Sequence, residues 1–359
     1  PLMAVSFGLF ASSCNDFLDR EPISSITPAQ YFNSADELGA YAINYYTSLI
    51  ATNDAAYNAG PLNVDGDTDN MVVGEANTNY FAPDRWLVPS SGGPSFSVIR
   101  AMNYFLEQVL PKKEAGAISG STEDINHYIG EIYFLRAMAY FNQLRTYGDF
   151  PIITVVPEDK TDQLVELSKR APRNEVARFI LGDLDKAISM LRPGSAFNKV
   201  RIGKEIALLV KSRVALYEAS FERYHKGTPR VPGEAGWPGA GMAYNAGKSF
   251  NIDSEVDFFL TEAMNAAKEV ADNHNLTQNT QVLNPNVNQI YGWNPYFEMF
   301  SMPNPGTLDE VLMWRQFDAN LSITHGFMAY INEGGNNGMT KSYVDAFLMA
   351  NGCLLYTSD

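Results

Sequence analysis

The stretch between Ser121 and Gly148 is the sequence feature that most constrains the fold. Apolar residues recur in it at the three- and four-residue spacing that places them on one face of an α-helix. They are Ile125, Tyr128, Ile129, Ile132, Leu135 and Ala139. Ser121 and Asp124 carry side chains that cap the free N–H groups at a helix start, and Gly148 permits the left-handed turn that ends a helix. We therefore predict a long amphipathic helix here.

Shorter segments with the same period lie on both sides of this stretch. Ser34 followed by Glu37 has the form of a capping box and predicts a helix that continues to Leu49. The spacing predicts further helices at about 96–110, ended by Pro111, and at 172–191, 203–223, 255–273 and 341–347. The segment Glu310–Phe317 has instead the pattern of a strand.

Helices of similar length that follow one another as hairpins indicate a tetratricopeptide-like array. Ala137 and Phe141 match one fragment of that repeat's pattern. Stretches rich in Gly, Pro, Asn and Ser at 51–95 and 227–250 make the spacing irregular, because they predict long loops. The predicted fold is mostly α, with tetratricopeptide-like helix pairs forming a scaffold, long loops and a few short strands.

Composition narrows the ligand class. The 45% of hydrophobic residues suffice for a packed core. The chain carries 41 acidic against 26 basic residues, a net charge of -15, without a run of basic residues. Such a chain lacks the concentrated cationic face that binding to phosphates requires, so we exclude nucleic acid as a partner. A neutral ligand would interact only weakly with the electrostatic field of this negative charge.

The beginning of the chain has the features of a lipoprotein leader. The apolar run Leu2–Phe10 is too short to cross a bilayer and is typical of the end of a signal peptide. Small residues at 11–13 precede Cys14, as a lipoprotein signal peptidase requires. We expect residues 1–13 to be a signal-peptide remnant and the Cys14 thiol to carry a lipid anchor. Cys353 is the only other cysteine, which excludes a disulfide framework.

The last seven residues have a different character. Residues 353–359 look like the translated end sequence of a transposon used to prepare sequencing libraries. We expect them to be a non-native tail, which leaves residues 14–352 as a binding domain that is incomplete at its C-terminus.

Several segments together resemble the RagB/SusD family of nutrient-binding outer-membrane lipoproteins. The resemblance is strongest at Gly130–Phe141, with Tyr147–Pro151 closing that helix, and it begins at Cys14–Pro22 and Ile26–Phe32. It extends over nearly the whole chain in the family's order, although family members are longer. The resemblance implies a SusD-like helical scaffold of four tetratricopeptide-like pairs, with a loop-rich region that carries the ligand site.

The resemblance also implies a function. It implies a cell-surface protein, lipid-anchored in the outer membrane, that binds an oligosaccharide and delivers it to a SusC-like TonB-dependent transporter. Neither catalysis nor a cofactor is implied.

Two stretches combine aromatic rings with polar side chains, the mixture that a sugar's apolar faces and hydroxyl edges require. The candidate ligand-binding residues are Asp69, Asn70, Arg85, Trp86, Trp293 and Tyr296. Core packing explains Trp86, Trp293 and Tyr296 equally well. Core packing is the favoured interpretation for Trp237 and Trp314.

Signals of catalysis and metal binding are missing from the sequence. The four histidines stand far apart, no GxSxG elbow occurs, and no paired-cysteine or HExxH spacing is present. Asp65, Asp67 and Asp69 alternate as in a calcium loop, but Asn70 and Ala76 stand where that loop needs glycine and glutamate. We predict no catalytic residue, metal or cofactor.

Three alternatives stay open beside glycan capture. The first is peptide binding within the same family, and the second is a surface glycoside hydrolase. The third is a purely structural scaffold, which burial of Trp86, Trp293 and Tyr296 would favour.

Overall fold

The computed structural model describes residues 31–49, 65–66, 68–72, 93–282, 292–318, 320, 323–324, 326, 332, 338–349 and 351–354. Helices dominate this part of the chain, and the only two strands in it, β1 (Met71–Val72) and β2 (Gly338–Met339), pair antiparallel. The helices are α1 (Ala35–Ile43), α2 (Tyr46–Leu49), α3 (Ser97–Glu114), α4 (Thr122–Tyr147), α5 (Thr161–Leu167), α6 (Arg173–Met190), α7 (Lys204–His225), α8 (Ile252–Ala271), α9 (Pro295–Met299) and α10 (Lys341–Asp345). The predicted mostly α scaffold with little sheet is confirmed.

The long central helix α4 forms as its sequence predicts. The Ser121 hydroxyl accepts a hydrogen bond from the Asp124 N–H at 3.0 Å, which caps the start. At the other end, Gly148 has a φ of 71° and its N–H donates to the Leu144 carbonyl at 2.9 Å. Residues on all sides of α4 are buried, because it packs against α1, α3 and α6. The hydrophobic core therefore surrounds this helix, and α7 and α8 extend the stack outward from α6.

Buried ion pairs join successive helices in this stack. Arg136 of α4 and Asp183 of α6 form two hydrogen bonds of 2.6 and 2.8 Å. Arg173 of α6 and Glu218 of α7 form a second such pair, at 2.8 and 2.7 Å. Because each pair is removed from water, its energy depends on both partners staying in register. The pairs thus help to fix how α4, α6 and α7 align.

The predicted capping box opens α1 in a modified form. The Ser34 hydroxyl accepts from the Glu37 N–H at 3.3 Å, but the Glu37 carboxylate accepts from the N–H of Asn33, one residue earlier than the motif prescribes. The predicted continuous helix to Leu49 is interrupted by a turn in which the Tyr45 N–H donates to the Ala42 carbonyl.

Two predictions about secondary structure are wrong. Pro111 does not end α3, which continues to Glu114. A proline costs a helix about 3 kcal/mol through its missing N–H and its ring. Here only one turn follows it, and Lys112 in that turn donates from Nζ to the Tyr31 carbonyl at 2.6 Å.

The predicted strand at 310–317 is the second error. The segment runs beside the turn at Asn198 and Lys199, and the Trp314 N–H donates to the Lys199 carbonyl at 3.0 Å. Asn198 and Lys199 have φ values of 51° and 60°, so the facing chain is not extended and cannot continue a ladder. Trp314 is half-buried and its Nε1 donates to the Asn198 carbonyl at 2.9 Å.

The long loop between α7 and α8 is ordered by one tryptophan. Trp237 is buried, and its Nε1 donates to the Asp149 carboxylate at 2.8 Å. The other oxygen of Asp149 accepts from the Arg173 N–H at 2.9 Å, and burial raises the pKa of this carboxyl. The loop is thereby fixed to the end of α4.

Candidate functional site

The short helix α9 presents a group of exposed aromatic rings. Tyr296 lies on α9, Phe297 follows it, and Phe300 lies just beyond the helix end. Their exposed fractions are 39%, 55% and 74%, which is unusual for rings of this size. We call these three side chains the aromatic platform. Exposed apolar groups that lie together typically mark an interaction surface.

Asn294 fixes the chain where α9 begins. Its side-chain oxygen accepts from the Tyr296 N–H at 3.2 Å, which caps the helix. Its side-chain nitrogen donates to the Asn279 side chain at 3.0 Å and to the Val282 carbonyl at 3.2 Å. Asn294 is nearly fully buried, so these bonds are shielded from water. The platform consequently stands on a firmly held turn.

Glu298 closes the same turn from the other side. Its Oε1 accepts from the N–H groups of Trp293 at 2.9 Å and Asn294 at 3.1 Å. Hydrogen bonds from the backbone, that of Gly292 foremost, lower the pKa of the Glu298 carboxyl. Glu298 is therefore an anion that serves the local structure.

The rings contact one another in two pairs. Tyr296 and Phe300 stand four residues apart and meet edge to face, with centroids 5.4 Å apart at 83°. Phe297 contacts Trp293 at 4.8 Å and 43°. Edge-to-face packing leaves part of a ring face free, and such a face can pack against the apolar C–H groups of a ligand.

Amide side chains lie beside the platform. The Tyr296 N–H donates to the carbonyl of Gln278 at 3.2 Å, and Gln278 and Asn279 are both exposed. Within the described residues, no hydrogen bond engages the side-chain amide of Gln278. Amides offer both a donor and an acceptor to a hydroxyl-rich ligand. Rings and amides together suit a ligand with apolar faces and polar edges.

The predicted ligand-binding residues Trp293 and Tyr296 differ in how far they are buried. Trp293 is buried, with 8% of its surface exposed and its carbonyl accepting from the Thr280 hydroxyl at 2.7 Å. Little of the Trp293 ring is open to a ligand. Tyr296 is exposed, so the condition for a purely structural scaffold, burial of all three candidate aromatic residues, is not met. Ligand contact by Trp293 and Tyr296 stays a prediction.

Asp69 and Asn70 lie in a turn that leads into β1. The Asp69 carbonyl accepts from the hydroxyls of Thr340 and Ser342, and the Asn70 carbonyl accepts from the Thr340 N–H at 3.0 Å. Asp69 is exposed and Asn70 is half-buried, in a turn anchored near the start of α10. No hydrogen bond, ion pair or ring contact between described residues joins this turn to the aromatic platform. Ligand contact by Asp69 and Asn70 stays a prediction as well.

Arg85, Trp86 and Cys14 lie outside the described residues. Asp67 of the calcium-like pattern does too, and the described residues contain no group of three or more His, Cys, Asp or Glu side chains that could hold a metal ion. None of the helices in the described ranges combines the length and the apolar character that crossing a bilayer requires.

Sequence reasoning missed Phe297 and Phe300. The aromatic cluster predicted from the sequence ends at Tyr296, whereas the exposed aromatic surface continues for another turn. A usable signal was present, because Phe300 stands four residues after Tyr296, and that spacing brings side chains together on a helix.

Comparison with known proteins identifies a family. The family model SusD-like_3, described as "Starch-binding associating with outer membrane", matches residues 16–216. Two curated proteins from Formosa agariphila are each 23% identical to the chain: SusD-like protein P2 over 227 residues and SusD-like protein P38 over 240. These alignments cover 58% and 62% of this chain but only 41% and 42% of those proteins. The aligned part thus spans about two-fifths of each relative.

A solved structure shares the fold. A SusD-like carbohydrate-binding protein from Bacteroides fragilis aligns with 91% of this chain and 56% of its own, with a TM-score of 0.55 and 14% identity. This likeness extends over the helical scaffold and beyond residue 216, where the family match ends.

Proposed function

Because the chain belongs to the SusD-like family, which is described as starch-binding and associated with the outer membrane, we propose that it captures a glycan at the cell surface without cleaving it. The aromatic platform on α9 is the observation that carries this proposal. Tyr296, Phe297 and Phe300 expose ring surface, and the neighbouring amides supply hydrogen-bonding groups.

The platform suits glycan capture because little free energy is needed to order it when a ligand binds. A stacking surface binds more tightly if the rings are already in place, since ordering a side chain costs about 0.5–1.5 kcal/mol. Asn294 and Glu298 hold the turn through bonds to three backbone N–H groups. The rings therefore start from a largely ordered backbone.

The carboxyl groups of the described part favour binding over hydrolysis. A glycosidase needs an accessible acid whose pKa is raised, opposite a second carboxylate. At the platform, Glu298 has a lowered pKa and is held by backbone N–H groups. Glu222 and Asp149 do have raised pKa values. Glu222, however, is fully buried on α7, where no sugar can reach it, and both carboxyl oxygens of Asp149 already accept hydrogen bonds, from Trp237 Nε1 and from the Arg173 N–H.

The direct test is incubation with a panel of oligosaccharides and peptides, followed by separation of bound ligand and chromatography of the products. We expect at least one glycan to be retained and recovered intact. Released products would establish the hydrolase instead. Retention of peptides alone would establish the peptide-binding alternative and refute glycan capture.

The proposal extends to anchoring and delivery. We infer that Cys14 carries the lipid that holds residues 14–352 at the outer membrane, and that a SusC-like TonB-dependent transporter receives the ligand. The leader-like residues 1–13 and the family description support this. Expression of the gene with its leader should place a palmitate-labelled protein in the outer-membrane fraction. A Cys14→Ala variant that remained labelled there would refute the anchor.

A further inference from the structure

A cleft at the end of α4 has a chemistry different from that of the aromatic platform. It has a volume of about 550 Å³, which lies within the ~300–1,000 Å³ that small-molecule sites typically occupy. Its walls are the C-terminal end of α4, the start of α6 and the loop between α7 and α8. Trp237 donates a hydrogen bond from Nε1 to the Asp149 carboxylate, which holds that loop in place and so fixes the shape of the cleft.

Three exposed arginines line this cleft. They are Arg145 in the last turn of α4, Arg170 before α6, and Arg230 in the loop. None of the three forms an ion pair with a carboxylate in the described part of the chain. Arg145 donates to the neutral side chain of Asn142 at 2.6 Å and lies 5.0 Å from the centre of the Phe141 ring. Three guanidinium groups at one place without a carboxylate ion pair are unexpected in a protein with a net charge of -15.

The other charges that line the cleft are already engaged. Arg173 is 3% exposed and is neutralised by its two bonds to Glu218. Asp149 accepts from Trp237 Nε1 and from the Arg173 N–H, and it interacts electrostatically with Arg170, which offsets one of the three arginine charges. The ends of α4 and α6 meet here with dipoles of opposite sign, so their effects on an anion oppose each other. The cleft keeps an excess of positive charge.

Two exposed tyrosines stand among the arginines. Tyr147 and Tyr244 are 40% and 37% exposed and line the same cleft. A guanidinium group binds a carboxylate or a sulfate through two parallel hydrogen bonds, whereas it gains much less from a neutral hydroxyl. A tyrosine ring packs against the apolar face of a sugar. The combination fits a sugar residue that carries a negative charge.

We propose that this cleft is a second binding site, selective for anionic sugar residues, whose acid group is a carboxylate or a sulfate ester. Arg145, Arg170 and Arg230 contact the anion, and Tyr147 and Tyr244 contact the ring. The proposal rests on the proposed function in that a glycan carries the anion, and it assigns to the protein a preference for acidic over neutral glycans. The repulsion of anions by the acidic surface elsewhere confines them to this cleft.

The test compares three oligosaccharides of equal length by calorimetric titration. One is an oligogalacturonide, which carries carboxylates, one is a sulfated galactan fragment, and one is a neutral gluco-oligosaccharide. The variant R170Q/R230Q removes two cleft charges at exposed positions. The control R100Q/R213Q removes two exposed charges outside the cleft, from α3 and α7. Both variants change the net charge by the same amount.

We expect R170Q/R230Q to weaken binding of at least one acidic oligosaccharide by about fivefold or more, since charged hydrogen bonds are lost. The control should leave that affinity unchanged, and neutral glycan should bind both variants like the wild type. The two acidic ligands show whether carboxylate or sulfate is preferred. Added NaCl should weaken acidic binding only.

Two results would overturn the cleft assignment. One is wild-type protein that binds no acidic oligosaccharide more tightly than the neutral one. The other is an equal loss in R170Q/R230Q and R100Q/R213Q, because that would report the overall charge. Neutral binding that depends on Tyr296 would in either case leave the proposed function standing. Acidic binding that depends on Arg170 and Arg230, together with neutral binding that is unchanged by loss of the Tyr296 ring, would refute the platform and support the cleft.

Discussion

Replacing Glu222 with glutamine should stabilise the protein by an amount that grows with pH. Glu222 is completely buried on α7, and neither of its carboxyl oxygens has a hydrogen-bond partner within the described residues. Burial, followed by the negative charges of Glu218 and Glu255, raises its pKa from 4.5 to about 9. Arg173 attenuates the shift, but it is committed to Glu218. Glu222 is thus protonated in the folded protein at neutral pH.

The sign of the effect follows from proton binding. Between the unfolded pKa of 4.5 and the folded pKa of about 9, the folded state holds a proton on Glu222 that the unfolded state has released. The contribution of Glu222 to the free energy of unfolding is therefore complete below the unfolded pKa. It falls by about 1.4 kcal/mol per pH unit as the pH rises from the unfolded to the folded pKa. From about pH 5.5 to pH 7.5 the loss from this group is roughly 3 kcal/mol. Glutamine mimics the protonated acid and removes that loss.

Urea unfolding of the wild type and of Glu222→Gln at several pH values measures this difference. The stability gained by the variant should increase by about 1.4 kcal/mol for each pH unit in this window. Glu166→Gln, at an exposed position on α5, is the matched control and should show no such trend. A difference between wild type and Glu222→Gln that stays constant with pH would refute the protonated state of Glu222.

Three structural contacts give further predictions. Arg136→Met removes the bidentate partner of buried Asp183 and should cost about 3–5 kcal/mol in urea unfolding, and a loss below 1 kcal/mol would refute the pair's role. Ser121→Ala should lower the free energy of unfolding by about 1 kcal/mol through loss of the α4 cap, and unchanged stability would show that the cap is dispensable. Trp237→Phe leaves Asp149 without one buried donor and should cost about 1–3 kcal/mol. Limited proteolysis should then cut the loop between α7 and α8 faster, and equal cutting rates would contradict its anchoring.

Local signals predicted the scaffold well because they act within a few residues. The serine cap at Ser121 and the glycine at Gly148 both act where the sequence places them. Pro111 led to a wrong helix end because the sequence shows only the local energetic cost of a proline in a helix. The hydrogen bond from Lys112 to the Tyr31 carbonyl, which stabilises the next helical turn, depends on the fold. The strand predicted at 310–317 failed for a related reason. The segment has the residue pattern of a strand. The chain that lies beside it, however, is the left-handed turn at Asn198 and Lys199, which is distant in sequence and cannot pair as a strand.

Sites that are assembled from residues distant in sequence could largely not be predicted from the sequence. Arg145, Arg170 and Arg230 are spread over three segments, and only the folding of a loop onto the end of α4 brings them to one cleft. The favoured interpretation of Trp237 as a core residue is confirmed, but its partner Asp149 lies 88 residues earlier and could not be predicted from the sequence. By contrast, the turn at Trp293 and Tyr296 was predictable, because Gly292 and Pro295 interrupt the aromatic cluster there. Which of its rings faces the solvent was decided by packing.

In the proposed function, exposed rings on α9 hold the glycan, and calorimetric titration of the ring variants measures how much they contribute. With a glycan that the wild type retains, Tyr296→Ala combined with Phe300→Ala should raise the Kd at least about tenfold, since each ring contributes on the order of 1 kcal/mol. Tyr224→Ala, which removes an 82% exposed tyrosine from α7, should leave the Kd unchanged. Equal affinities for the wild type and for the double variant would show that the aromatic platform does not hold the glycan.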